Sequence, residues 1–168
     1  VDINPERAKS TIVELSKMMR YILYEGNNKL VALPREVQFL QNYMQLMRLR
    51  YTDRVRINVN IPDTLPELMM PPLMLIIFVE NAFKHGISYR IDSFVEVTIN
   101  ISNDRLLFSC RNSRPPQPEE EKKDGGMGLV NVRKRLDLRF PENYKLDIKE
   151  GKDIYEVELD IPLAPNNQ

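Results

Sequence analysis

The sequence predicts an α+β fold, a two-layer sandwich in which a mostly antiparallel sheet of about five strands carries helices on one face, preceded by a helical hairpin. Three observations lead there. Apolar residues recur in threes and fours up to Thr52 and on alternate positions beyond it. The alternating part is interrupted by a nearly all-apolar segment, residues 72–87, that has no period of two. A second helical pattern, residues 128–140, separates the last two alternating segments from the rest. The resulting divisions are a hairpin at 1–52, a sandwich at 53–163 and a tail at 164–168.

From Pro5 the apolar residues fall at Ala8, Ile12, Leu15, Met19 and Ile22, the seam of a helix packed lengthwise against others. Gly26, Asn27 and Asn28 supply helix-stop chemistry. A second helix opens at Pro34, where a proline sacrifices no hydrogen bond, with Glu36 in the first turn to meet the helix dipole. Its seam is Val37, Leu40, Met44, Met47 and Tyr51, and a further stripe of Phe39, Tyr43 and Leu46 gives it another apolar edge. One hairpin cannot bury all of these edges by itself. They pack onto the rest of the domain, or two copies of residues 5–51 form an intermolecular four-helix bundle; both hold if one face docks inward and the other pairs.

Residues 54–61 alternate, with Val55, Ile57, Val59 and Ile61 on one side, and Pro62-Asp63 closes that strand. An irregular stretch rich in Pro and Met leads into the oily helix. Val95, Val97, Ile99 and Ile101 alternate next, Asn103-Asp104 forms a tight turn, and Leu106, Phe108 and Cys110 continue as the hairpin partner. RPPQPEEEKKDGG, residues 114–126, has three prolines and no apolar side chain that can pack, so it reads as a mobile loop. A helix over 128–140 buries Leu129, Val132, Leu136 and Phe140. Leu146 and Ile148, then Tyr155, Val157, Leu159 and Ile161, make a last hairpin around residues 150–153.

Composition narrows the function. Hydrophobic residues at 42% and charged residues at 29% are an ordinary globular balance, so a packed core is expected. Lys+Arg and Asp+Glu are equal at 24 each, which gives no electrostatic footprint for nucleic acid or anionic lipid. Arg133, Lys134 and Arg135 lie on the helix that buries Leu129, Val132 and Leu136, and read as a solvated face or a lid contact. The single cysteine, Cys110, allows no internal disulfide, and no Cys/His cluster offers a zinc site, which fits a reducing, cytoplasmic setting. The longest uncharged apolar run, residues 68–79, falls far short of the ~20 residues that span a bilayer. The start lacks both a basic and an apolar signal region, and there is no initiator methionine, so membrane or sensory parts are expected in a longer chain.

The chemistry concentrates in FVENAFKHG, residues 78–86, which holds the only histidine. With Glu80 at zero on a helical wheel, Lys84 lies near about 40°, Asn81 near about 100° and His85 near about 140°. Only Ile77 intrudes into that arc, and the rest of the circumference is apolar. A polar stripe on a mostly buried helix must be paired or face a liganded cavity, because unpaired burial costs about 2–7 kcal/mol per group. Glu80 and Lys84 are spaced as an i,i+4 ion pair, and Asn81 and His85 can satisfy each other. Zinc is disfavoured by the absence of a second histidine at ligand spacing, and a Ser-His-Asp set by the absence of a glycine-flanked serine elbow. Magnesium with phosphate fits better: Mg²⁺ needs only one or two protein oxygens beside phosphates and water, the Asn81 amide oxygen can be one, and Lys84 can supply a point charge. GGMGLVNVRKRL, residues 125–136, places glycines directly before a helix, where free N–H groups and the positive dipole end favour phosphate.

Four consecutive segments, IVELSKMMRYIL, LPREVQFLQNYMQLMRLRY, PPLMLIIFVENAFKHGI and GGMGLVNVRKRLDLRF, together resemble the LytS/YehU-type sensor histidine kinases with their Bergerat-type ATP-binding fold and mixed sheet. The first two resemble the family's bundle helices, the third its N-box and the fourth its glycine box, over nearly the whole chain. The resemblance implies ATP and Mg²⁺ as ligands, with Asn81 coordinating Mg²⁺ on the phosphates and Glu80 orienting water or the incoming histidine. Lys84 and His85 would line the phosphate or ribose side, the Gly126 and Gly128 backbone with Leu129 would close over the phosphates, and residues 114–125 would be the lid. It also implies a homodimer through residues 5–51, a response regulator as partner, and an inner-membrane anchor outside these residues.

Two departures stand out. The family's phosphoacceptor lies in an Asn-Pro-His-Phe-type segment; here Glu6 follows the proline, so the accepting histidine is expected upstream of this chain. Where related ATPases carry an Asp-x-Gly-x-Gly stretch, this chain has CRNSRPP, with Asn112 in place of the adenine-binding carboxylate and no glycines. An amide oxygen accepts the same hydrogen bond without charge assistance. That leaves a nucleotide-degenerate signalling scaffold as the alternative to the kinase. ATP-hydrolysing relatives place a general-base Glu one turn before the magnesium Asn, where this chain has Ile77.

Overall fold

The computed structural model describes residues 4–116 and 126–167. Helix α1, Pro5–Tyr24, starts where Asn4 accepts hydrogen bonds from the Glu6 and Arg7 amides at 3.1 and 3.3 Å. It stops at Gly26, where a Cβ would lie 2.5 Å from the Ile22 carbonyl oxygen. The expected seam does not meet the rest of the chain. Ile12, Leu15, Met19 and Ile22 are exposed, and α1 packs through Met18 and the half-buried Thr11, Glu14 and Tyr21. Tyr21 sets this rotation: its ring stacks on Phe39 at 4.6 Å and its hydroxyl donates to Glu36.

Strand β1, Val31–Ala32, runs into helix α2, Leu33–Arg50, with Pro34 in the first turn. The expected seam of Val37, Leu40, Met44 and Met47 is buried, and so is Phe39 from the second stripe. These residues join the same core as the sheet, so α2 is a layer of the sandwich. The seam also carries Glu36, buried among the apolar positions rather than facing solvent as a dipole partner.

The main sheet contains β2 (Val55–Asn60), β4 (Ser93–Ser102), β5 (Arg105–Ser113), β6 (Lys145–Glu150) and β7 (Ile154–Pro162), in the order β2-β4-β5-β7-β6. Only β2 and β4 pair in parallel, which makes the sheet mixed and mostly antiparallel. Asn103 and Asp104 both take positive φ, 52° and 55°, as the two-residue hairpin turn requires. Register aligns Val97, Cys110 and Val157 across three strands on the buried face. The opposite face carries a ladder of ion pairs, with Arg111 between Glu96 and Glu156 and Lys149 on Glu158. These pairs are partly exposed and add little stability singly.

Strand β3, Met69–Met70, pairs with β1, and Met69 also bridges Ala164. The sequence reads this stretch as irregular because a two-residue strand is too short to display alternation. Helix α3, Ile76–Gly86, begins later than the expected 72 because Leu73 adopts φ 56°, outside the helical region. Helix α4, Gly126–Arg139, packs Val132 and Leu136 into the core. Most of the charged, proline-rich loop, residues 117–125, lies outside the described residues.

Candidate functional site

α3 lies on β4 and β5 with Ile76, Phe78, Val79, Ala82, Phe83 and Gly86 buried. Its rotation is fixed from α2, since Tyr43 meets Phe83 edge-on at 5.9 Å and Tyr51 stacks on it at 5.8 Å. The polar stripe therefore points away from the core. Glu80 and Lys84 are exposed, while Asn81 and His85 are half-buried. This corrects the expectation of a confined, desolvated stripe: two of its four members face water. Among the described residues Glu80 and Lys84 form no ion pair with each other. Burial, reinforced by the Glu80 charge, pushes the Tyr43 hydroxyl on α2 up to about 12.

The first turn of α4 comes to rest beside this stripe. A Cβ built on Gly128 would stand 3.9 Å from Asn81 Nδ2, an ordinary van der Waals contact, and would meet nothing nearer among the described residues. Gly126 is the first residue of α4, and the amides of that turn have no acceptor within the helix. Leu129 is half-buried against the core and anchors the turn. Asn81 and the glycine turn, some forty-five residues apart in sequence, thus lie side by side.

Asn112 occupies the far end of α3. It is 3% exposed, and its Nδ2 donates to the Ser113 carbonyl at 2.8 Å. Gly86 is required here: a Cβ would fall 2.7 Å from Asn112 Nδ2 and 2.8 Å from its Cβ. Ser113 Oγ donates to the Gly86 carbonyl at 2.6 Å and accepts from the Phe94 amide at 3.0 Å, fastening the helix end to the sheet. Cys110, behind α3, is sealed in the core, and burial pushes its thiol up to about 12. Among the described residues no cluster of three metal-binding side chains occurs, and no helix is long and apolar enough to cross a membrane.

Three residues expected from sequence to have other roles or none, Tyr21, Glu36 and Arg135, shape the entry to α3. The Glu36 carboxylate accepts from the Leu73 and Met74 amides at 3.0 and 3.1 Å and from the Tyr21 hydroxyl. Burial pushes this carboxyl above the usual range, and those hydrogen bonds oppose the rise. Arg135 donates to the Leu73 carbonyl at 2.9 Å and to that of Pro72, so it is half-buried rather than part of a solvated face, unlike the exposed Arg133 and Lys134. The position of Glu36 between Leu33, Val37 and Leu40 on the helical wheel was the available signal.

The histidine kinase family model matches residues 1–55. Sensor protein LytS of Oceanobacillus iheyensis is 28% identical over 162 residues, covering 88% of this chain and 28% of the relative. Sensor protein LytS of Staphylococcus epidermidis is 27% identical over 180 residues, covering the whole of this chain and 30% of the relative. The chain is similar to the LytS-type sensor histidine kinases over nearly its whole length. It spans less than a third of the length of the LytS relatives it matches most extensively. Solved structures of histidine kinases share the fold of this chain. The catalytic domain of histidine kinase ThkA superposes with TM-score 0.54 at 18% identity, covering 81% of this chain and 95% of that one. ShkA, solved in complex with AMPPNP, superposes with TM-score 0.61 at 17% identity, over 94% of this chain and 36% of that one.

Proposed function

We propose that this chain is the ATP-binding and phosphoryl-transferring portion of a two-component sensor histidine kinase. The observation that carries the reading is the close approach of Gly128, in the first turn of α4, to Asn81 on α3. It joins a hard oxygen donor to a helix N-terminus whose amides favour phosphate. Asn81 would hold Mg²⁺, which neutralises phosphate charge when bound. The amides from Gly126 to Leu129 would grip the phosphates, and exposed Lys84 would add a point charge. Asn112, its Nδ2 already bonded to Ser113, offers Oδ1 to the adenine amino group. Exposed Glu80 would orient the incoming imidazole, and His85, held in the last turn of α3, is a pocket residue rather than the acceptor. Transfer of this kind depends on positioning and charge neutralisation, with little covalent work for the protein.

The outward stripe of Ile12, Leu15, Met19 and Ile22 supports pairing with a second copy, which would complete a four-helix bundle. The accepting histidine would lie upstream of this chain, a response regulator would take the phosphoryl group, and the whole would work on the cytoplasmic side of an inner membrane. Incubating the full-length protein with γ-labelled ATP and Mg²⁺ tests the reading. Acid-labile, alkali-stable label that Asn81→Ala abolishes is expected. Absence of label from the unsubstituted protein would leave the scaffold reading in its place.

A further inference from the structure

The turn at residues 72–74 is held in an unusual way. Leu73 sits at φ 56°, a left-handed conformation that a leucine does not favour. Its amide and that of Met74 are taken by Glu36 from α2, and its carbonyl and that of Pro72 by Arg135 from α4. The Tyr21 hydroxyl brings α1 onto the same Glu36 carboxylate oxygen that receives the Leu73 amide. Three helices thus hold a single turn through side chains, and a buried carboxylate and a guanidinium satisfy its backbone from opposite sides.

That turn leads directly into α3, whose first residue is Ile76. Leu75, the residue before α3, makes no side-chain cap of its own, and the amides at the helix entry turn to Glu36 instead. The orientation of the first turn of α3 therefore depends on the clamp. Asn81 lies little more than one helical turn beyond Ile76, and Arg135 lies two turns beyond Gly128 on α4. The clamp thus touches α4 and the entry to α3, and it reaches α1 through the Tyr21 hydroxyl.

We infer that Tyr21, Glu36 and Arg135 are positioning residues that couple the placement of α1 to the Asn81–Gly128 site through the turn at 72–74. The inference rests on the proposal that this site holds nucleotide. Coupling between sites is reciprocal, so the rotation of α1 that preserves the Tyr21–Glu36 bond is also the one that nucleotide favours. Only differential contacts shift such an equilibrium, and here the differential contact is one hydroxyl.

Tyr21→Phe deletes that hydroxyl and keeps the ring on Phe39; Arg135→Lys keeps the charge and loses the two-carbonyl fork. Each variant is titrated with AMPPNP and Mg²⁺ and followed by amide hydrogen exchange without nucleotide. The expected result is a three- to tenfold weaker affinity in both, with Tm close to the parent. Faster exchange should run from Leu73 and Met74 along α3 to Asn81. Parent-like affinity in the folded variants, or faster exchange confined to α1 and α2, would reduce the clamp to a structural brace and overturn the inference. If the parent chain itself binds no nucleotide, the site reading fails visibly and separately, and the link to nucleotide falls with it. The exchange pattern still decides whether α1 is mechanically joined to α3.

Discussion

Gly128 on α4 and Asn81 on α3 lie side by side, with room at Gly128 for a methyl group 3.9 Å from the Asn81 amide nitrogen. The glycine is thus not demanded by packing in the chain as it stands. Its φ is not positive either, so no backbone strain selects it. A ligand that approaches the backbone of that turn would be the remaining reason for its small size.

Gly128→Ala separates these explanations. Alanine in a helix is favoured over glycine by roughly 0.5–1 kcal/mol, so thermal stability is expected to hold or rise slightly. Affinity for AMPPNP is expected to fall by about tenfold, or ~1.4 kcal/mol, because the new methyl stands where phosphate would approach. Calorimetry and a thermal melt on the same sample read both quantities.

Gly86→Ala has the opposite profile. The methyl would meet Asn112 at 2.7 to 3.0 Å on a side chain already fixed by Ser113. Overpacking of this kind costs about 1–3 kcal/mol, read as a lower midpoint in urea unfolding with an unchanged slope. A variant as stable as the parent would mean that α3 stands off the sheet at its C-terminal end.

Much of this architecture was legible in the sequence. Alternation at Val95, Val97, Ile99 and Ile101 marks a strand buried on one face, and Asn103-Asp104 marks its turn. What could not be read were contacts between distant segments. β1 and β3 are two residues each, so neither has a period, and their pairing depends on Met69 finding Ala164 nearly a hundred residues later. Glu36 was legible as a first-turn acid, but its burial depends on the amides of Leu73 and Met74, which no local pattern foretells. For the proposed site, the residues on α3 and the glycine turn were both singled out from sequence. Their meeting at Asn81 and Gly128, and the tight fit of Gly86 on Asn112, needed the fold.

The outward face of α1 makes a prediction about assembly. Ile12, Leu15, Met19 and Ile22 form an apolar stripe exposed to water, larger than scattered single residues explain. Leu15→Glu combined with Met19→Glu is expected to convert a dimer to a monomer in sedimentation velocity, with an unchanged circular dichroism spectrum. A parent chain that is monomeric at all concentrations would remove this stripe as the dimer contact.

Cys110 reports on the integrity of the core. With the thiol raised by burial to about 12, almost no thiolate exists in the folded chain at pH 8, and only opened molecules expose it. Iodoacetamide is expected to label the native protein far more slowly than the urea-unfolded chain. Equal rates in the two states would place Cys110 outside the sandwich interior, contrary to its contact with the Phe78 carbonyl.

Calorimetric titration of the chain with AMPPNP, with and without Mg²⁺ and beside Asn81→Ala, tests the central claim most directly. Binding that requires Mg²⁺ and is lost in the substituted chain is the predicted result. Binding indifferent to both Mg²⁺ and Asn81, or none at millimolar nucleotide, would contradict the assignment of Asn81 and the glycine turn as the site of ATP.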